Sequence, residues 1–345
     1  MCRLGNRFDM PPLPSPRGEI SALLLEKLPG PVQSLDPPSL PDFGDPLSDE
    51  DLQLSLYLLY ELHYRGFDGV DDAWEWEPSL VALAGRLEQV FEAAVREAVG
   101  PLPPAPAPEE ADRALRAAAE ADDGPSMSLY LSRDGTDEQM LEFMMHRSAY
   151  QLKESDPHSW AVPRLTGGPK AALVEIQADE YGAGRPERIH AEMYARSMQA
   201  VGLDPSYGAY LDRIPGVTLA PVNLMSFFGL HRRLRGATVG HLALFEITSA
   251  VPSRRYADAL RRLGYEGEAP AFFDEHVEAD AVHENIAAVD LAGGLIRQDP
   301  GLADDVMFGA LALIELDARW ARHVLESWNE GRSSLAPGTP EPAAV

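Results

Sequence analysis

The sequence predicts an all-α fold, on three observations. From residue 137 onward nearly every segment of ten or more residues repeats its apolar side chains at helical spacing. No stretch sustains the alternation of β-branched residues that a strand needs. Neither an internal repeat nor a glycine-rich phosphate loop between a strand and a helix interrupts the pattern.

Residues 1 to about 47 are rich in Pro, Ser and Gly, as in Pro11-Pro12-Leu13-Pro14-Ser15-Pro16, which cannot sustain helical hydrogen bonding. They are expected to form an extension that wraps the domain. Ser48-Asp49-Glu50-Asp51 is a capping sequence, and the apolar run from Leu52 to His63 behind it predicts a buried first helix ending near Gly66. Leu80, Leu83, Leu87, Val90, Phe91 and Val95 predict a second helix over 78–99, closed by the linker Gly100-Pro101-Leu102-Pro103-Pro104. An Ala- and acid-rich segment over 109–135 reads as a helix and then an exposed loop. Further helices are expected over 137–154, 168–181, 186–201, 206–213, 218–232, 236–250, 253–264, 269–292 and 301–328. Their breaks fall at Gly182-Ala183-Gly184-Arg185-Pro186, Gly202-Leu203-Asp204-Pro205, Ile214-Pro215-Gly216 and Val251-Pro252. The organisation is thus an extension over 1–47, helices and linker over 48–135, a helical core over 136–330 and a disordered tail over 331–345.

Composition narrows the chemistry. With 345 residues and 45% hydrophobic content the chain can bury one large core. Its 55 acidic against 29 basic residues, a formal charge of −26, would repel a polyanion, so nucleic acid and anionic membranes are not expected partners. A single cysteine, Cys2, excludes a disulfide framework and a thiolate metal site, so any ligands must be His, Asp and Glu. No apolar run reaches the roughly 18 residues that span a bilayer, and the expected location is cytoplasmic.

Such ligands are present. His276, Asp280 and His283 stand at i, i+4 and i+7, roughly 0°, 40° and −20° around a helix, and share one face. The competing reading is a solvated face of an acidic helix, which suits Glu275, Glu278 and Glu284 better. Glu187 and His190 form a Glu-x-x-His pair that would point inward from one helix, a pattern that acidic sequences also produce by chance. Asp179 and Glu180 end an apolar helix. Glu246 interrupts the apolar His241–Ile247 run; an ionised carboxylate there costs several kcal/mol unless paired or metal-bound, so it wants a cation, either a metal or one of Arg232, Arg233 and Arg235. Glu154 is a further candidate ligand, against a helix-end role beside Lys153. His63, His146 and His323 are assigned to structure, His158 to a loop, and Met144, Met145 and Met225 to the core.

The run Leu173-Val174-Glu175-Ile176-Gln177-Ala178-Asp179-Glu180-Tyr181-Gly182-Ala183-Gly184, followed by His190, by Glu246 and by His276-x3-Asp280-x2-His283, closely resembles the haem-oxygenase-like diiron oxidases, often labelled iron-containing redox enzymes. The resemblance covers about residues 140–325, and Tyr60-Glu61-Leu62-His63-Tyr64 looks like part of the family's first helix. It implies a seven-helix, haem-oxygenase-like bundle that binds no haem. It also implies two Fe(II)/Fe(III) ions on Glu180 or Glu187 with His190, on Glu246, and on His276, Asp280 and His283, with Glu154 as an extra ligand. Enzymes of this kind use O2 as co-substrate and oxidise small amino acids, amines or fatty acids, by N-oxygenation, desaturation or oxidative cleavage, so a small-molecule substrate in natural-product metabolism and an external electron donor are expected. Homodimerisation suits such bundles, though no interface is legible.

Arg232, Arg233 and Arg235, packed just before the helix of Glu246, are expected to offer a substrate carboxylate a bidentate partner, with ion pairing to surface acids as the competing assignment. Two other classes share the bundle. Metal-free thiaminase-like or cofactorless oxidases lack the full ligand set, which is complete here. A haem oxygenase needs a proximal His near the start of the bundle and a basic surface for the propionates, which the acidic charge opposes.

Overall fold

The computed structural model describes residues 10–337, with the side chains of 278–282 outside the description, and no strand occurs among the described residues. Residues 1–9 and 338–345, the outer parts of the expected extension and tail, lie outside it as well. Helix α1 (Glu19–Lys27) begins where Asp51 accepts the amides of Ile20 (2.9 Å) and Ser21 (2.7 Å), satisfying two of its orphan donors. It is a helix that the Pro-rich extension did not predict. The Asp49 carboxylate caps α2 (Glu50–Glu61), and Pro78 at the first turn opens α3 (Pro78–Val99). The segment read as one helix and a loop holds two helices, α4 (Ala111–Glu120) and α5 (Met127–Arg133).

The core follows: α6 (Asp137–Gln151), the short α7 (Asp156–Ser159), α8 (Gly167–Glu180), α9 (His190–Ala200), α10 (Gly216–Leu230), α11 (Arg235–Arg262), α12 (Glu268–Asn285), α13 (Gly294–Gln298) and α14 (Ala303–Asn329). Three expectations are corrected. Over 206–213 only a 3-10 turn, Leu211–Arg213, forms. The expected break at Val251-Pro252 is absent, because α11 runs through Pro252 at the loss of one backbone hydrogen bond and is held on both sides by α12 and α14. Between α12 and α13 the backbone is a π-helix, Ile286–Gly293, burying Ala287, Ala288, Leu291 and Ala292.

The approach of α11 to α14 is set by two glycines. A Cβ on Gly240 would stand 1.8 Å from the Val306 carbonyl oxygen, and one on Gly309 2.0 Å from that of Ala237, so backbone lies directly on backbone. Gly240→Ala should therefore cost about 3 kcal/mol, since neither neighbour is a side chain that can swing away. A denaturant midpoint equal to that of the parent protein would show that the helices slide apart freely.

Around this pair the core forms three patches. One joins α1, α2 and α3 to α10; the second joins α4, α8 and the π-helix to α11 and α14; the third joins α5, α6, α9 and α12 to the far end of α14. The Leu211–Arg213 turn is gripped from both sides. Ser15 donates its amide to Asp212 (2.7 Å) and Arg17 donates to the Leu211 carbonyl, while Ala336 N and Arg213 O (2.8 Å), and Arg213 Nε and Ala336 O (3.1 Å), bond reciprocally.

Candidate metal centre

Where α6 ends, Ser155 adopts a left-handed conformation (φ 70°) that turns the chain sharply and leaves Glu154 buried. Glu180 is the last residue of α8. After it the chain reverses through Gly182 (φ 74°), and an antiparallel bridge between Tyr181 and Ile189 pins the reversal. A side chain at Gly182 would meet Arg188 C and Ile189 N at 2.8 Å, so the two arms close only on glycine. His190 is thereby set beside Glu180 as the first residue of α9. Glu246 comes from the middle of α11, and His276 and His283 from one face of α12.

These residues form two groups that share one member. Ligand atoms of Glu154, Glu180, His190 and His276 lie within 4.8 Å of one another, as do those of Glu180, Glu246 and His283. All six residues are buried. Glu180 divides its oxygens: Oε2 is 2.8 Å from His190 Nδ1, and Oε1 is 3.9 Å from His283 Nδ1. Glu154 Oε1 stands 3.5 Å from His276 Nε2, and Glu246 Oε2 stands 3.5 Å from His283 Nδ1. Adjacent ligands about 2.1 Å from an octahedral ion are about 3 Å apart, the scale seen here.

The donor set fits a metal on a further count. Glu154 Oε2, His190 Nδ1 and His283 Nδ1 are buried atoms with no hydrogen-bond partner among the described residues, so they face one another without the alignment of hydrogen bonds. Such orphaned groups cost roughly 1–3 kcal/mol each unless something else satisfies them. The opposite ring nitrogens are engaged: His276 Nδ1 with the Phe272 carbonyl (2.8 Å) and His283 Nε2 with Asp179 Oδ2 (3.1 Å). That fixes which nitrogen each ring offers.

Burial pushes the Glu180 carboxyl up, but His190, His276 and His283 outweigh it and hold the group down to about 2. Burial dominates at Glu154 and raises it against the pull of His276. At His283 burial opposes the charge, yet Glu246, Asp179 and Glu180 drive the imidazole up to about 9. Without metal, protons thus occupy the centre. Because the folded value lies above the unfolded one, this contribution to stability is complete below about 6.5 and is lost as pH rises through about 9. Metal must expel the same proton, so affinity at this position should climb up to about tenfold per pH unit until pH about 9. Competition titrations with a metal indicator across that range would show a flat profile if His283 were neutral.

Of the residues singled out from sequence, the structure brings together Glu154, Glu180, His190, Glu246, His276 and His283; the Asp280 side chain lies outside the described residues. Glu187 is not with them. The glycines and Pro186 prevent the helix from starting before His190, so Glu187 sits on an exposed 3-10 turn rather than on the helix of His190. Arg233 pairs with Glu92 (2.6 Å), Arg235 with Asp299 (3.0 Å), and Arg232 is exposed, so none of the three reaches Glu246, whose partner is His283. His158, expected on a loop, is buried in α7 against His241 (3.1 Å). Asp179, named with Glu180 at the end of its helix, orients His283, and one residue was missed, Arg147, which lines a cavity beside the centre. Arg147 carried no such signal as Glu246, because its helix also holds Asp137, Glu138, Glu142 and His146.

An all-helical bundle with carboxylates and imidazoles from five chain segments converging in its interior has the haem-oxygenase-like fold and a donor set that could hold metal. The chain belongs to the iron-containing redox enzyme family, whose model matches residues 141–318. It is also 23% identical over 159 residues to the nitrosourea synthase of Streptomyces achromogenes subsp. streptozoticus, a match covering 46% of this chain and 34% of that protein. The chain thus spans about a third of the length of that relative. Among the described residues no helix is long and apolar enough to cross a membrane.

Proposed function

We propose that this chain is an O2-dependent diiron oxidase or oxygenase of a small amino acid or amine, working in natural-product metabolism. The division of the Glu180 carboxylate between two ligand groups carries the reading, because a residue shared in this way is what two neighbouring ions require. The nitrosourea synthase likeness supports a nitrogen-bearing substrate. Two ferrous ions held here would supply the electrons that reduce O2.

The chain's own residues do the rest. Glu180, Glu154 and Glu246 supply negative charge that offsets that of the ions. Ser155 Oγ donates to Glu180 Oε2 (3.2 Å) and Asp179 holds the His283 ring, so both groups are oriented before metal arrives. Phe272 packs against the rings of His190 and His276 and places apolar surface beside them. Anaerobic titration of metal-free protein with Fe(II), then exposure to O2 with a panel of amino acids and amines, tests the reading. Two equivalents bound, with O2 uptake hastened by one compound, are expected; less than one equivalent and no uptake would point instead to a metal-free bundle.

A further inference from the structure

A cavity of about 130 Å³ reaches Glu154 and His276. One water needs roughly 10–15 Å³ of such space, so a molecule of amino-acid size fits. One part of its wall is aromatic, with Phe143, Phe245, Phe272 and Phe273, and another is polar, with Gln151, Thr248, Ser249 and Ser253. A second cavity, of about 180 Å³, lies beyond it, lined by Asp122, Ser126 and Ser128 from the segment around α5. Arg147 and Asp317 line both, together with Thr248 and Pro252, the place where α11 lacks one backbone hydrogen bond. Arg147 therefore stands in the passage between the two.

Its surroundings suit an anion. The guanidinium is sandwiched on the Trp320 ring (4.0 Å), near that of Phe143 (6.0 Å), and bonds Asp317 Oδ1 at a long 3.3 Å. A fork of five donors opposite one loosely held carboxylate oxygen can accept a second carboxylate side-on. Apart from Asp317, the acid among the described residues lining the inner cavity is Glu154, so once an α-ammonium has been met there no counter-charge is left for a second cation on the side chain.

Resting on the proposed oxidase reading, we propose that the substrate is an α-amino acid with an apolar side chain, held by its carboxylate on Arg147 and lying along the aromatic wall with its reacting end toward Glu154 and His276. Asp317 is then the group that the carboxylate displaces. Arg147 takes the anchoring role that the sequence suggested for Arg232, Arg233 and Arg235.

The test is calorimetric binding of the twenty protein amino acids, under argon, to iron-loaded and to metal-free protein, with the decarboxylated amine of the tightest binder as the paired probe. An apolar amino acid should bind best, and its amine about 100-fold more weakly. Arg147→Gln should weaken the acid by a similar factor, and Arg147→Lys should restore part of it. Asp317→Asn, which keeps the arginine, should tighten the acid several-fold, an effect that a merely structural Arg147–Asp317 pair would not give. The proposal is overturned by equal binding of acid and amine, by unchanged affinity in Arg147→Gln, by weaker or equal binding in Asp317→Asn, or by no amino acid binding at all. Iron binding and O2 uptake with no amino acid bound would sink the anchor and leave the oxidase reading standing. Failure to take up iron would sink that reading, while Arg147-dependent binding to the metal-free cavity would still stand on its own.

Discussion

Glu180→Ala is expected, on the proposed diiron reading, to leave the protein unable to hold either ion. Every other ligand belongs to one group: Glu154, His190 and His276 to the first, Glu246 and His283 to the second. Losing Glu180 deprives each group of a carboxylate and removes the charge that balances three imidazoles at once. Glu246→Ala, by contrast, should cost about one equivalent, because the four residues of the first group stay intact. Iron measured after anaerobic loading and gel filtration separates the cases. Two ions retained by Glu180→Ala would mean that the two groups do not share this carboxylate. The metal-free variant should also bind protons less tightly at His190 and His283, since Glu180 helps to raise both.

Lys153→Met should destabilise the protein by about 3–5 kcal/mol, the second large effect. Lys153 and Glu61 are buried almost completely, with side chains 1% and 0% exposed. Lys153 Nζ donates to Glu61 Oε2 at 3.1 Å and lies 4.8 Å from the Tyr57 ring and 4.5 Å from that of Tyr64; Tyr207 adds a hydroxyl donor at 2.6 Å. Removing the ammonium leaves a buried carboxylate with two neutral donors, the Tyr207 hydroxyl and the Arg65 amide (3.4 Å). Adding Glu61→Gln should recover most of the loss, because the cost lies in the stranded charge and not in a missing contact. Denaturant unfolding of the two single variants and the double variant measures this, and a single-variant loss under about 1 kcal/mol would show that water reaches the pair. As Lys153 precedes Glu154, the single variant should also bind iron less tightly.

Much of this was legible in the sequence, and the rest was not, for identifiable reasons. Helices α3, α8, α10 and α14 follow from apolar spacing and from caps or prolines at their ends, since the periodicity that buries a face is a local property. Whether a proline breaks a helix is not local. At Pro252 the neighbours α12 and α14 decide, and they lie elsewhere in the chain. His276, His283 and Glu246 stood out because spacing, or isolation among apolar residues, marks a charged group that needs a partner. The choice between Glu180 and Glu187 rested on a reversal at Gly182 whose hand no periodicity reports, and the burial of Glu154 on the left-handed turn at Ser155. The arginine cluster misled because density of charge is not depth. Arg233 and Arg235 pair with acids away from the centre, while Arg147, itself paired with Asp317, lines the cavity that reaches Glu154.

The grip on the Leu211–Arg213 turn has a consequence in time. Residues 15–17 leave the ribosome well before their partners, since Asp212, which Ser15 binds, lies 197 residues later, and Ala336 lies 123 residues beyond Arg213. At about 5–20 residues per second, tens of seconds separate the making of the first arm from the making of the last. Closing so long a loop adds no contacts until the intervening helices have packed, so it comes after them. The segment made before its partners is therefore among the later ones to be fixed.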